Sequence, residues 1–163
     1  MGSGASSPVL ERLTKSAASM QALEWRILRG PKGLPCMAPP WGRMIAIEAS
    51  TGKQKWAVPF GRFPNPHGSP ELPAQWGSAS LGGPIVTASG LVFAVGTFDP
   101  AMYVFDAESG AELQRIQLPA SSRAVPMTFL GQNGRQYVVV AAGGHGIEGL
   151  SPATDYLVAF ALE

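Results

Sequence analysis

Cysteine, histidine and charge are all scarce in this sequence, and each scarcity closes off a class of function. Cys36 is the only cysteine in 163 residues, so no intrachain disulfide can form and no cysteine-based zinc cluster can be assembled. The two histidines, His67 and His145, lie far apart without metal-ligand spacing. Charged residues are 14% of the chain with a formal net charge of +1, which argues against a nucleic-acid partner or a polybasic membrane surface. Long apolar runs are absent too. Stretches such as Tyr137 to Ala142 have strand length, far below the roughly 20 residues of a membrane helix. Residues 1–7 are small and polar, with no basic segment ahead of an apolar one, so no signal peptide is expected.

What the chain has in excess is turn-formers beside apolar residues. There are 20 glycines and 15 prolines, while hydrophobic residues reach 45%. That combination excludes a disordered chain and points to short strands joined by tight turns, an all-β protein.

Three regions follow. Residues 1–30 are expected to form an amphipathic helical leader. Ser7-Pro8 suits a helix start, and Leu10, Leu13, Ala17, Met20, Leu23 and Ile27 make one apolar stripe before Gly30-Pro31 ends it. Residues 31–42 hold four prolines and two glycines, which forces an extended connector. From residue 43 to 163 the period is two, with strands expected at 43–49, 54–59, 84–88, 91–96, 102–107, 112–118, 125–130, 136–142 and 155–162. Between them sit turn sequences such as Ser50-Thr51-Gly52-Lys53, Ser109-Gly110 and Gln132-Asn133-Gly134.

An internal repeat organises this region. Ala46-Ile47-Glu48-Ala49-Ser50-Thr51-Gly52-Lys53-Gln54-Lys55-Trp56 aligns with Val104-Phe105-Asp106-Ala107-Glu108-Ser109-Gly110-Ala111-Glu112-Leu113-Gln114 at a constant offset of 58. A shortened third copy stands at residues 157–161. Four strands separate the two full copies, which is the spacing of β-propeller blades. In each copy the acidic residue is a turn acceptor, and Trp56 is expected to pack between neighbouring sheets. Two to two-and-a-half blades cannot close a ring by themselves.

The pattern A-x-[DE]-x-x-[ST]-G-x-x-x-W resembles the tryptophan-docking motif of pyrroloquinoline quinone (PQQ) dependent dehydrogenases. More specific strings accompany it in order: Gly33-Leu34-Pro35-Cys36 with Pro39-Pro40-Trp41-Gly42, Leu81-Gly82-Gly83-Pro84-Ile85, Ala124-Val125-Pro126-Met127-Thr128, Ala142-Gly143-Gly144-His145-Gly146, and Asp155-Tyr156-Leu157-Val158-Ala159. Together they are similar to the C-terminal end of membrane-bound quinoprotein glucose dehydrogenase over residues 33–163, leaving residues 1–30 outside.

The resemblance implies part of an eight-bladed propeller of four-stranded antiparallel blades, on the periplasmic side of the inner membrane. It implies PQQ with calcium or magnesium near the propeller axis, oxidation of a sugar to its lactone, and ubiquinone as electron acceptor. The family's general base, its metal ligands and its quinone-stacking tryptophan have no matching positions here, so no catalytic residue is assigned. The chain is expected to bind no cofactor and to be inactive alone, its partners being the remaining blades or other copies of itself. Only the Gly-Gly-His-Gly string carries over. It nominates His145 for the substrate mouth, with Gly143, Gly144 and Gly146 shaping the loop.

Two departures stand out. Gln114 replaces the second docking tryptophan, and Ala74-Gln75-Trp76-Gly77-Ser78 differs from the family's Met-rich segment, which bears on sugar specificity. The other reading is a non-enzymatic propeller-repeat module that binds partners or serves as structure, with the leader covering one open flank.

Among the remaining residues, His67 reads as solvated, Cys36 as a buried or partly buried thiol, and Asp99-Pro100 as a turn. Asp106 reads as a turn acceptor, Asp155 as a strand start, and Trp41, Trp56 and Trp76 as packing residues. The His145 loop is expected to be exposed. Gly82-Gly83-Pro84 leads into a strand and so makes no phosphate loop.

Overall fold

The computed structural model describes residues 28–68, 71–146 and 152–161. All nine expected strands are present: β1 (Arg43–Ile47), β2 (Gln54–Pro59), β3 (Pro84–Val86), β4 (Leu91–Ala94), β5 (Ala101–Asp106), β6 (Glu112–Gln117), β7 (Met127–Leu130), β8 (Gln136–Ala142) and β9 (Tyr156–Ala161). They form three antiparallel sheets, ordered β1-β2, β3-β4-β5-β6 and β7-β8-β9. The expected leader helix falls largely outside the described residues. Its last three positions, 28–30, are not helical, and Arg29 instead bridges to Pro35 across a turn.

The sheets stack face to face, which explains why β4 and β5 read as continuous apolar runs. Alternate side chains point to opposite faces of a strand. Val92, Ala94, Ala101, Tyr103 and Phe105 pack with Phe60, Met44 and Val58 toward the first sheet. Phe93, Val95, Met102 and Val104 pack with Val138, Val140 and Ala142 toward the third. Phe60 meets Tyr103 and Phe105 edge-on, with ring centroids 5.5 and 6.1 Å apart. The outer sheets bury one face each, so β1 alternates between exposed and half-buried residues.

Repeat chemistry welds the first two sheets together. The Trp56 indole N–H donates to the Ala107 carbonyl at 3.0 Å, and the ring lies against Gly110, where a Cβ would fall 2.6 Å from ring carbon. Gly110 also has φ 74°, so the position wants glycine twice over, for its backbone and for the ring above it. Asp106 accepts from the Ser109 amide at 2.7 Å and from its hydroxyl at 2.6 Å, as the motif predicts. The Ser109 hydroxyl, then its amide, hold the Asp106 carboxyl below its ordinary pKa.

Antiparallel alternation sends the tight turns to one end of the stack and the long connections to the other. At the turn end the Ala107 amide donates to the Gly90 carbonyl. At the long-loop end, Asp99 is not merely part of a turn as the sequence suggested. It is buried, accepting from the Arg62 amide at 2.9 Å and the Tyr103 hydroxyl at 2.6 Å, with Arg115 at 3.5 Å. Cys36 is exposed rather than buried, because its connector runs over the surface. Asp155 precedes β9, which starts at Tyr156.

Replacing Trp56 with alanine removes a half-buried ring and its hydrogen bond. Full burial of a tryptophan is worth about 3–5 kcal/mol, so W56A is expected to cost about 2–3 kcal/mol. W56F should recover the ring contact and lose only about 1 kcal/mol for the hydrogen bond. Urea unfolding of the three proteins checks the order. Equal stability of W56A and the parent would remove the docking role.

Candidate functional site

The nominated histidine sits where the long connections meet. Strand β8 ends at Ala142, and the next four residues, Gly143 to Gly146, carry His145 across the top of the stack. Gly144 has φ 71° and packs against the Pro152 carbonyl so closely that no Cβ fits. Its amide donates to the Ser121 carbonyl at 2.8 Å. On the far side, the Thr154 amide donates to the Gly143 carbonyl at 2.8 Å, and the Thr154 hydroxyl to the Ala142 carbonyl at 2.6 Å. The loop is thus a fixed shelf.

His145 is 2% exposed, which corrects the expectation of an exposed loop. Burial comes from convergence of the sheets: the ring meets Phe98 edge-on at 5.3 Å, and Phe98 in turn meets Phe63 at 5.8 Å. Ser121 Oγ lies 2.6 Å from Nδ1, and the Gly96 carbonyl oxygen 3.3 Å from Nε2. A carbonyl only accepts, so Nε2 carries the ring proton and Nδ1 accepts the Ser121 hydroxyl proton. Burial, reinforced by the Arg123 charge and opposed by the Gly96 carbonyl, holds the His145 pKa below its ordinary 6.5. The histidine is neutral, and both its nitrogens are engaged.

The Asp99 cluster lies one residue beyond Phe98. Burial, followed by the charge and hydrogen bond of Asp99, pushes the Tyr103 phenol pKa well above its ordinary value. A cleft of about 290 Å³ opens beside the cluster, walled by Arg62, Phe63, Asp99, Pro100 and Arg115 among others. Asp99 holds the Arg62 amide on one side and Tyr103 and Arg115 on the other, so it serves as an anchor between the first two sheets. His67 lies on the exposed surface with Nε2 3.0 Å from the Lys32 carbonyl oxygen. Trp41 and Trp76 pack edge to face at 5.4 Å, as packing residues should. The sequence reading missed Ser121 and the role of Asp99, since two serines in a loop and an Asp-Pro pair carry no signal for a buried partner.

Stacked antiparallel sheets of two, four and three strands, with long connections gathered at one end and a tryptophan docked between the first two, have the arrangement of propeller blades. The comparisons make the class specific. The family model described as "PQQ: Glucose/ethanol/alcohol dehydrogenase, beta-propeller domain" matches residues 3–138, and the chain belongs to that family. The match begins at residue 3, taking in most of the region that the string resemblance leaves out. The chain is 39% identical over 141 residues to quinate/shikimate dehydrogenase (quinone) of Acinetobacter baylyi, covering 80% of this chain and 16% of that protein. It is 40% identical over 138 residues to quinoprotein glucose dehydrogenase of Escherichia coli, covering 81% and 17%. Among solved structures, the quinohemoprotein alcohol dehydrogenase from Comamonas testosteroni superposes with a TM-score of 0.52 at 26% identity, covering 80% of this chain and 18% of that one. The chain therefore spans about a sixth of the length of these relatives.

No cluster of metal-ligating side chains forms among the described residues. Asp99 is committed to Tyr103, Arg62 and Arg115, and His145 has both nitrogens occupied. What the site holds is a fixed loop carrying a neutral, fully hydrogen-bonded histidine.

The depressed pKa of His145 sets a pH dependence. The unfolded chain takes up the histidine proton near 6.5 while the folded chain resists it, so this contribution to stability is complete above 6.5 and is lost as the pH falls below it. Urea midpoints measured across that range should decline on acidification, and H145N should flatten the decline. An unchanged slope in H145N would place the titration elsewhere.

Proposed function

We propose that this chain supplies the substrate-mouth end of a PQQ-dependent sugar or polyol dehydrogenase, of the type that oxidises glucose to gluconolactone and passes electrons to ubiquinone. His145 lies at the mouth, and Gly143, Gly144 and Gly146 shape its loop. The observation that carries this reading is the fixed Gly-Gly-His-Gly shelf, held at the end of the stack where the long connections of all three sheets gather. PQQ and its divalent metal, calcium or magnesium, belong on this reading to the whole eight-bladed propeller. The periplasmic side of the inner membrane is the matching location. Among the described residues, no helix is long and apolar enough to cross a membrane.

Further blades are the partners this surface fits. The outer face of the third sheet presents Met127, Phe129 and Leu157, which are 56, 44 and 74% exposed, with Val139 opposite Met127, Tyr137 stacked on Phe129, and Ala159 beside Val139. A patch of this kind marks an interaction surface. On the opposite sheet a Cβ at the repeat glycine Gly52 would meet none of the described residues within 4 Å, whereas its counterpart Gly110 is covered by Trp56. The turn at Gly52 is a docking seat of the same design that awaits a tryptophan from a preceding blade.

Two measurements test the reading. Assayed with PQQ, calcium, glucose and a dye acceptor, the isolated chain should show no oxidation, and glucose-dependent dye reduction would contradict the division of labour. In sedimentation, the chain should associate more as its concentration rises, and F129K with L157K should reverse this. A monomer at all concentrations would remove the partner surface.

A further inference from the structure

Ser121 lies at the join between the second and third sheets, where the sequence shows only a pair of loop serines. It is 2% exposed, and it holds the His145 loop twice. Its carbonyl accepts from the Gly144 amide at 2.8 Å, and its hydroxyl lies 2.6 Å from Nδ1 of His145. The short contact to Nδ1 and the longer 3.3 Å contact from Nε2 to the Gly96 carbonyl are unequal. The Gly96 carbonyl also accepts the Leu81 amide at 2.8 Å, so it keeps a partner if Nε2 turns to another acceptor, and the longer Nε2 contact is the weaker of the two on His145.

We propose that Ser121 is a positioning residue: its hydroxyl donates to Nδ1 of His145 and fixes the ring as the neutral Nε2–H tautomer, leaving Nε2–H to donate to an oxygen of the substrate in place of the Gly96 carbonyl. This rests on the reading of His145 as a substrate-mouth residue, and it makes that reading chemically specific. A ring held this way is a donor. It can orient a hydroxyl or ring oxygen of a polyol, but it cannot take up the proton released when that polyol is oxidised, because its lone pair at Nδ1 is occupied by Ser121. The base must therefore lie outside this pair.

The test is direct, because the chain has only two histidines and His67 on the surface serves as an internal reference. Long-range proton–nitrogen correlation spectra of the nitrogen-labelled full chain at pH 7.5 should show His145 with a pyridine-like Nδ1 and a pyrrole-like Nε2. S121A should move both nitrogens toward the averaged positions of mixed tautomers, and S121T should restore the parental pattern, while His67 stays unchanged throughout. A pyrrole-like Nδ1 in the parent chain, or an S121A spectrum identical to the parent's, would overturn the proposal. Adding D-glucose to the parent chain separates the two levels: loss of any glucose-dependent shift at His145 overturns the substrate-mouth reading, and with it the exchange at Nε2. The tautomer assignment then stands or falls on the serine variants alone.

Discussion

The structure depends on the middle sheet being buried on both faces. Strands β4 and β5 send alternate side chains into two separate cores, one shared with the first sheet and one with the third. Neither core could be made by one sheet alone, since a sheet has no means of covering its own apolar face. The same rule bears on the outer faces of the first and third sheets, and the proposed partner surface rests on it.

Stacking also decides where the chemistry can sit. Because successive strands run antiparallel, the compact turns of the repeat fall at one end, where Trp56, Ala107, Gly110 and Gly90 lock adjacent sheets. The long connections are left for the other end. There the β4–β5 loop acts as the hub. Its Gly96 carbonyl reaches His145, its Thr97 bridges Ser80, its Phe98 amide donates to the Ser78 hydroxyl oxygen, and its Asp99 accepts from the Arg62 amide. Each sheet contributes to this hub, so the geometry around His145 reports on the relative placement of all three.

The strand pattern was legible because a half-buried strand alternates and a tight turn needs glycine or a short polar side chain. Strands β2 and β8 match their expected limits, β5 lies one residue earlier than expected, and the others are trimmed. β1 stops at Ile47 because Glu48 already accepts the Gly52 amide, and β3 stops at Val86 because Thr87 turns back onto Leu91. The Trp56 docking was legible too, since the 58-residue offset aligns donor and receptor motifs. Tertiary consequences were not. Asp99 looks like a turn residue until Tyr103, four positions on and folded back on the same strand end, brings its hydroxyl to the carboxylate. His145 lies in a glycine-rich loop that reads as open, and only the arrival of Phe98 and Ser121 from elsewhere in the chain buries it. Cys36 shows the reverse error: read among its prolines as a buried or partly buried thiol, it is exposed, because a proline-rich connector has no sheet to carry it inward.

Native-state hydrogen exchange is the measurement that addresses the doubly buried middle sheet most directly. If both its faces are packed, the amides of β4 and β5 exchange slowest in the molecule, and those of β1, β7 and β9, each at an open edge or outer face, exchange through smaller openings. The W56A substitution should then speed exchange in β1 and β2 far more than in β8. Slowest exchange in the third sheet, or uniform rates across all three, would contradict the stacked arrangement.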